Sequence, residues 1–413
     1  MRKTAPLWRY ADIRTSNVDK KTKDGEQAIR LVNYTDVYYN QWITPELELM
    51  AATAPDDHIS RFGVLPGDLI ITKDSESPDD IGVPALVTKS DSDMVCAYHL
   101  SLLRPDPVQA DPRFIYWLLE SNYAKGYWLN NSFGVTRYSL LTRTIASLPV
   151  PGYNLDEQKR IADYLDREAG EIDAMIAKLD ELTGTLRFRL AEVSTRSVFG
   201  LDAGNRRRLV DASSPLVGTP EHWDHTRFGY DFTESTERNG DNPPGPLLSI
   251  SEYRGVELNT RSDGQQASSD VSKYRVVRPG QLAANMMWLN HGGLGVSSLT
   301  GYISPDYKSF WISDRFDPRY VHYLFRSSRY VDYFAAISTG VRPNAKRVTK
   351  TVLDATPVPV PSLDEQKRIA DHLDEVTGRI DQMLAKITDL KNLLLKRRAV
   401  LITDVVTGRK DVS

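Results

Sequence analysis

A chain of 413 residues, 40% hydrophobic and 26% charged, has room for two to four domains of ordinary size and the composition of a folded globular protein. A net charge of −3 with a pI near 6.2 excludes a uniformly basic, sequence-blind nucleic-acid binder, while leaving open a specific binder with local patches. No run of 18 apolar residues predicts a membrane span, residues 1–8 lack the apolar stretch of a secretory leader, and the single Cys96 excludes an internal disulfide and fits a reducing cytoplasm.

In chain order, residues 1–152 form a first variable block. It opens with a basic run, Lys20-Lys21-Thr22-Lys23, then shows short strand-like stretches at Asp68–Thr72 and Ala85–Thr88 among turns rich in Gly, Pro, Asn and Asp. An amphipathic helix is expected near 112–124, making the block α+β. Pro149 and Pro151 then stop just short of a long helix, with Asn154 as N-cap and Glu157 as its capping-box partner. The spacer 153–205 carries a heptad stripe, Ile161, Leu165, Ile172, Met175, Leu179, Leu182, Leu186 and Val193, interrupted by Glu168 and Arg189. Gly200–Asn205 reads as a hinge.

A second block, 206–361, repeats this order with different residues. Arg278-Pro279-Gly280 parallels Leu65-Pro66-Gly67, a strand-like run falls at Gly295–Leu299, and a helix is expected near 318–330. Asp317-Pro318-Arg319 parallels Asp111-Pro112-Arg113, and Ser338-Thr339-Gly340-Val341 parallels Ser132-Phe133-Gly134-Val135. The second spacer, 362–413, begins at Ser362 with Glu365 in the capping-box place, and its stripe runs Ile369, Leu373, Val376, Ile380, Met383, Ile387, Leu390, Leu394. Each stripe predicts a rod of some 40 residues, about 60 Å, paired with the other. The helix openings are nearly the same sentence: Leu155-Asp-Glu-Gln-Lys-Arg-Ile-Ala-Asp-Tyr-Leu-Asp166 returns 208 positions later with only His372 in place of Tyr164. Self-similarity at so long a period means a duplicated domain pair, and one scaffold carrying two divergent surfaces suits a bipartite target.

A Pro-rich lead followed by Leu-Asp-Glu-Gln-Lys-Arg-Ile-Ala and a long helix, present twice behind blocks of about 150 residues, resembles the specificity (S) subunits of type I restriction-modification systems. The resemblance spans the chain. It implies an α+β fold of two pseudo-symmetric target-recognition domains joined by two long antiparallel coiled-coil helices. Each domain would read one half of a bipartite site in double-stranded DNA, and the helices would space the domains and dock two methyltransferase (M) subunits. Restriction and translocation (R) subunits would complete an adenine-methylating, cytoplasmic complex. The chain itself is then expected to be non-catalytic and to hold no cofactor or metal, with S-adenosylmethionine, ATP and Mg in the partner subunits. A protein-binding adaptor and a free-standing DNA-binding regulator are the rival readings.

Candidate DNA contacts combine Gly, amides and arginine in the two loops leading to the helices: Asn130, Asn131, Arg137 and Tyr138, and Arg342, Asn344, Lys346 and Arg347. Asn290 and His291, beside a Trp288 that is core or surface, and the run Lys20, Lys21 and Lys23 are further candidates, with turns and solvated charge as the plain alternatives. The basic runs Arg206-Arg207-Arg208 and Lys396-Arg397-Arg398 read as solvated faces. Asp156, Glu157, Gln158, Lys159 and Arg160 recur unchanged on positions expected to be largely solvent-facing, where packing alone does not demand identical charges, so Asp156, Glu157, Lys159 and Arg160, matched by Asp364, Glu365, Lys367 and Arg368, are candidate partner-docking residues. Gly170 and Gly378, matched within the helices, predict a close backbone approach. Asn242-Pro-Pro-Gly245 lacks the aromatic residue of the amino-methyltransferase motif it resembles, His222-Trp-Asp-His225 lacks zinc spacing, and neither a Gly-Lys-Ser/Thr phosphate loop nor a complete nuclease strand around Asp68 and Lys73 is present.

Overall fold

The computed structural model describes residues 2–202, 204, 206–251, 254–260, 270–340 and 347–412. The chain divides into two units, Met1–Asp180 with Thr388–Ser413, and Glu181–Ile387, so both long helices contribute to both units.

The first unit is built on a five-stranded sheet in the order Ala11–Thr15, Leu100–Pro105, Leu69–Thr72, Pro84–Val87, Trp42–Ile43, antiparallel except for its last pair. A three-stranded sheet, Met50–Ala54, Gln27–Val32, Met94–Cys96, closes a second core around Leu31, Val32, Ile43 and Val95. The second unit carries a four-stranded sheet in the order Phe232–Glu234, Lys308–Ile312, Leu282–Ala284, Leu294–Val296. Its core is strongly aromatic, with Phe228, Phe232, Phe310, Phe325, Tyr330 and Phe334 all buried.

The two sheets keep one internal register. Leu69 lies between Leu103 and Leu86, as Leu282 lies between Phe310 and Val296. A Pro-Gly turn leads into each central strand, with Gly67 at φ +92° and Gly280 at φ +82°. Each turn is closed by the next side chain, Asp68 accepting from the Leu65 N–H and Gln281 from the Arg278 N–H, at 2.8 Å in both. Asp68 is further committed to Arg104 at 2.7 Å, so it is part of a structural ion pair rather than a nuclease strand.

Each expected single helix proves to be two. Pro112–Glu120 is capped by Asp111 and followed by Asn122–Asn131; Pro318–Arg326 is capped by Asp317 and followed by Ser328–Ile337. The break falls at Ser121 and Ser327, whose hydroxyls bond back to the carbonyls of Leu118 and Leu324 and whose backbones are extended. Local side-chain competition of this kind interrupts helices without Pro or Gly.

The long helices span Leu155–Val198 and Leu363–Val406, 44 residues each. Asn154 and Glu157 form the expected reciprocal capping box at 2.9 Å. Ser362 caps the Glu365 N–H, but the Glu365 side chain turns to Trp223 Nε1 at 3.0 Å instead. In the first unit the start of the first helix, Ile161, Ala162, Leu165 and Ala169, shares a core with the end of the second, Ile402, Val405 and Val406. In the second unit Val193 and Val198 share a core with Ile369 and Leu373, so the helices run antiparallel.

The heptad stripe is buried unevenly, with one column exposed over its middle. Leu373, Ile380, Ile387 and Leu394 are covered, whereas Met175 and Met383 are 51% exposed and Leu182 and Leu390 are 44% exposed. The matched helix glycines differ from expectation too: a Cβ on Gly170 or Gly378 would meet open space, so no backbone approaches there. Gly170→Ala and Gly378→Ala are therefore expected to stabilise the chain by about 1 kcal/mol each. Thermal unfolding of the two single variants and of the pair would show this as additive rises in Tm.

Candidate nucleic-acid interface

The repeated helix opening is explained first by how it holds each block. Gln158 and Gln366 are fully buried, not solvent-facing. Gln158 donates to the carbonyls of Gln109 and Tyr153 (both 3.0 Å) and accepts from the Asp111 N–H at 3.0 Å. Gln366 repeats the pattern with Arg315, Pro361 and Asp317 at 3.0, 2.9 and 2.9 Å. One turn further on, Arg113 bridges Asp163 (2.7 Å) and Asp166 (2.8 Å), and Arg319 bridges Asp371 (2.7 Å) and Asp374 (2.8 Å). Most of the identity between the two openings is thus demanded by packing.

The docking candidates separate accordingly. The Glu157 carboxyl is held below its ordinary range by the Asn154 backbone N–H and by Arg2 at 2.9 Å, and Glu365 faces Trp223. Asp156, Lys159, Arg160, Asp364, Lys367 and Arg368 are exposed. In the two basic runs taken as solvated faces, Arg206, Lys396 and Arg397 are exposed, but Arg207, Arg208 and Arg398 are staples. Arg207 donates to the carbonyls of Gly200 (2.6 Å) and Leu201 (2.7 Å), and Arg208 donates to Trp223 O, locking the stretch expected to be a hinge. Gly200, at φ +59°, leaves no space for a side chain beside Pro220 and Trp223. Residues 203 and 205 of that stretch lie outside the described residues. Arg398 is largely buried and ion-paired with Glu120 at 3.0 Å.

In the first block the Gly134 loop is a hairpin pinned by two hydrogen bonds between Phe133 and Ser139, at 3.0 and 2.8 Å. Gly134 has φ +141°, and a Cβ there would lie 1.9 Å from the Arg137 carbonyl, so only glycine fits. Phe133 at the base and Val135 in the loop are 71% and 87% exposed, and Tyr138 pairs with Ser75. Asn130 and Asn131 are not in this loop. They end the preceding helix, and their amides donate back to the carbonyls of Gly126 and Tyr127 at 2.8 Å. Arg137 reaches within 3.5 Å of His99, whose ring lies 4.0 Å from that of Tyr98. Lys20 sits over the Tyr98 ring at 5.8 Å, so Lys20 and the hairpin share one surface. Lys23 turns to Glu26, 3.7 Å away, and Lys21 is exposed.

In the second block Thr339 and Arg347 pair at 3.0 and 2.9 Å, closing a loop two residues longer than its counterpart. Arg342, Asn344 and Lys346 lie outside the described residues; Arg347 is exposed. Trp288 is not core: it is 53% exposed, with the exposed His291 ring 4.9 Å away and Met287 45% exposed beside it. Asn290 is partly covered. The same backbone bond recurs beneath each loop, from Leu140 N–H to the Lys73 carbonyl and from Val348 N–H to the Met286 carbonyl, at 2.7 and 3.1 Å, and the first loop adds the Tyr138–Ser75 and Ser139–Asp74 strand pairing. Among the described residues no group of three or more His, Cys, Asp or Glu is placed to hold a metal ion, and no helix is long and apolar enough to cross a membrane.

Fold and surface together define a duplicated, two-headed recognition protein. Residues 34–183 and 317–392, more than half of the chain, match the type I restriction modification DNA specificity domain, and the chain belongs to that family. It is 29% identical over 91 residues to the type I restriction enzyme StySPI specificity subunit of Salmonella potsdam, a match covering 22% of this chain and 19% of that relative's length. A Methanocaldococcus jannaschii protein assigned as the type I restriction enzyme MjaX specificity subunit is 20% identical over 374 residues, 86% of this chain and 80% of that one. In fold, the chain is similar to one from a structure on complex assembly and conformational transition of the type I R-M system, with a TM-score of 0.64, 15% identity, and 99% and 98% of the two chains covered.

Replacing Gln158 by Leu would strand three buried backbone groups, and the same holds for Gln366. Each variant is expected to lose about 2–4 kcal/mol of stability, read as a lower urea midpoint, whereas Lys159→Gln should leave the midpoint unchanged.

Proposed function

We propose that this chain is the non-catalytic DNA-reading subunit of a type I restriction-modification complex, with each head contacting one half of a bipartite duplex site. The carrying observation is that the same strand-to-loop seating recurs in both heads with different side chains and a different loop length. A scaffold kept constant beneath a variable surface is what reading two different half-sites requires. The reader domains are 1–152 and 206–361, and the spacers 153–205 and 362–413. Base-edge contacts from Arg137, Tyr138, His291, Arg347 and their loops carry sequence information, whereas Lys20 and Lys21 serve phosphates.

The helix pair sets the distance between half-sites and docks two methyltransferase subunits. Support comes from Asp156, Lys159 and Arg160 with their counterparts, and from the half-exposed Met175 and Leu182 with Met383 and Leu390, which recur at equal spacing on both helices. S-adenosylmethionine, ATP and Mg belong to the methyltransferase and the restriction and translocation subunits, in the cytoplasm. A gel-shift of the assembled complex on a bipartite site tests the whole reading; unchanged mobility with every duplex would favour a protein-binding adaptor.

Charge reversal at Arg160 and Arg368 is expected to weaken methyltransferase docking at least ten-fold while leaving Tm unchanged, as read by size-exclusion chromatography of the mixed subunits. Four residues, about one turn, inserted into one helix should lengthen the permitted spacer and leave both half-sites unaltered in methylome sequencing.

A further inference from the structure

The seat of the Gly134 hairpin carries a side-chain network centred on Asp74, which is 7% exposed. One carboxylate oxygen accepts from the Lys73 ammonium at 2.9 Å and from His99 Nδ1; the other accepts from the Ser139 hydroxyl at the base of the hairpin. Burial pushes the Asp74 carboxyl up, but the hydrogen bonds from Ser139, His99 and Lys73 outweigh it and hold it below the usual carboxylate range. His99 has φ +70°, the one positive φ at a non-glycine among the described residues. Backbone held in that region is over-determined by its surroundings and collects at binding sites. With Nδ1 turned to Asp74, its Nε2 makes no hydrogen bond among the described residues, and the side chain remains 28% exposed beside Arg137.

Architecture alone does not call for this network. In the second block the equivalent seat forms with Met286, Met287 and Trp288 where the first has Lys73, Asp74 and Ser75. The backbone bond suffices there, so the carboxylate serves the surface rather than the fold. Asp74 fixes the imidazole, and the Arg137 guanidinium beside it offers paired N–H donors. Such a fork matches the O6 and N7 acceptors on the major-groove edge of guanine.

We propose that Asp74 is a positioning residue that presents His99 and Arg137 as a preformed contact to a guanine of the first half-site, with Lys20 on the flanking phosphate. The proposal rests on the DNA-reading function above.

The test uses the complex with its methyltransferase subunits and a library of duplexes randomised over both half-sites. His99→Asn, which tolerates the same backbone, and Arg137→Gln are each expected to lower discrimination at one shared G·C position by about 10- to 100-fold, with the second half-site unchanged. Asp74→Asn should do the same and add little to His99→Asn, because the two act as one unit. Lys20→Gln should weaken all duplexes alike and reduce the salt slope by about 1. Wild-type selectivity at every first-half position in both His99→Asn and Arg137→Gln overturns the proposal. If His99→Asn does not assemble, Arg137→Gln on the exposed hairpin decides. A wild-type complex that selects no sequence in either half is a different result and overturns the DNA-reading function itself.

Discussion

Everything else in this chain hangs on one buried amide used twice. Gln158 and Gln366 each satisfy three backbone groups that would otherwise be buried without partners: one just before the Pro112 or Pro318 helix, one at that helix's cap, and one just before the long helix itself. An amide is suited to this because it donates and accepts at once and carries no charge to desolvate. The result fixes the start of a long helix to the block it follows. With the Arg113 and Arg319 bridges one turn on, the orientation of each head relative to its own helix start is set by side chains rather than by a tether.

Holding the head in this way frees the outer surface. In both blocks the sheet register, the Pro-Gly turn and the strand-to-loop bond are the same, while the residues seated on them differ in kind. The first head presents an ionic set around Asp74; the second presents Met287, Trp288 and His291. Apolar and aromatic groups contact thymine methyls and base faces, whereas paired cations favour purine acceptors and phosphates. Sheets, cores and surfaces have all diverged between the blocks, while the welds and the central register are kept.

Much of this was legible in the sequence, because it is written in local spacing. The helix openings, the Asn154 capping box, the Asp-Pro-Arg helix starts and the Gly loops all follow from residues within a turn or two of one another, and the duplication from finding those short phrases twice. Contacts between distant segments were not legible. Gln158 looks like any polar helix residue until Gln109 and Asp111 are brought beside it, and Asp74 and His99 are 25 positions apart. The breaks at Ser121 and Ser327 use a serine hydroxyl where Pro or Gly is the usual signal. The basic runs misled for the same reason: Arg207, Arg208 and Arg398 find their acceptors across the fold. The heptad pattern gave the pairing of the helices but not the half-exposed column at Met175, Leu182, Met383 and Leu390.

The pinned hairpin has an evolutionary corollary. Its ends are tied by the Phe133–Ser139 pair and the Leu140–Lys73 bond, and its shape needs Gly134, so mutations elsewhere in the tip are nearly free of folding penalties. Lengthening such a loop by two residues, as the second copy has done, adds only a few tenths of a kcal/mol of closure entropy. With this loop as the proposed DNA contact, new preferences for target sequence become accessible by single steps, each selectable on its own, without a prior stabilising change elsewhere in the molecule.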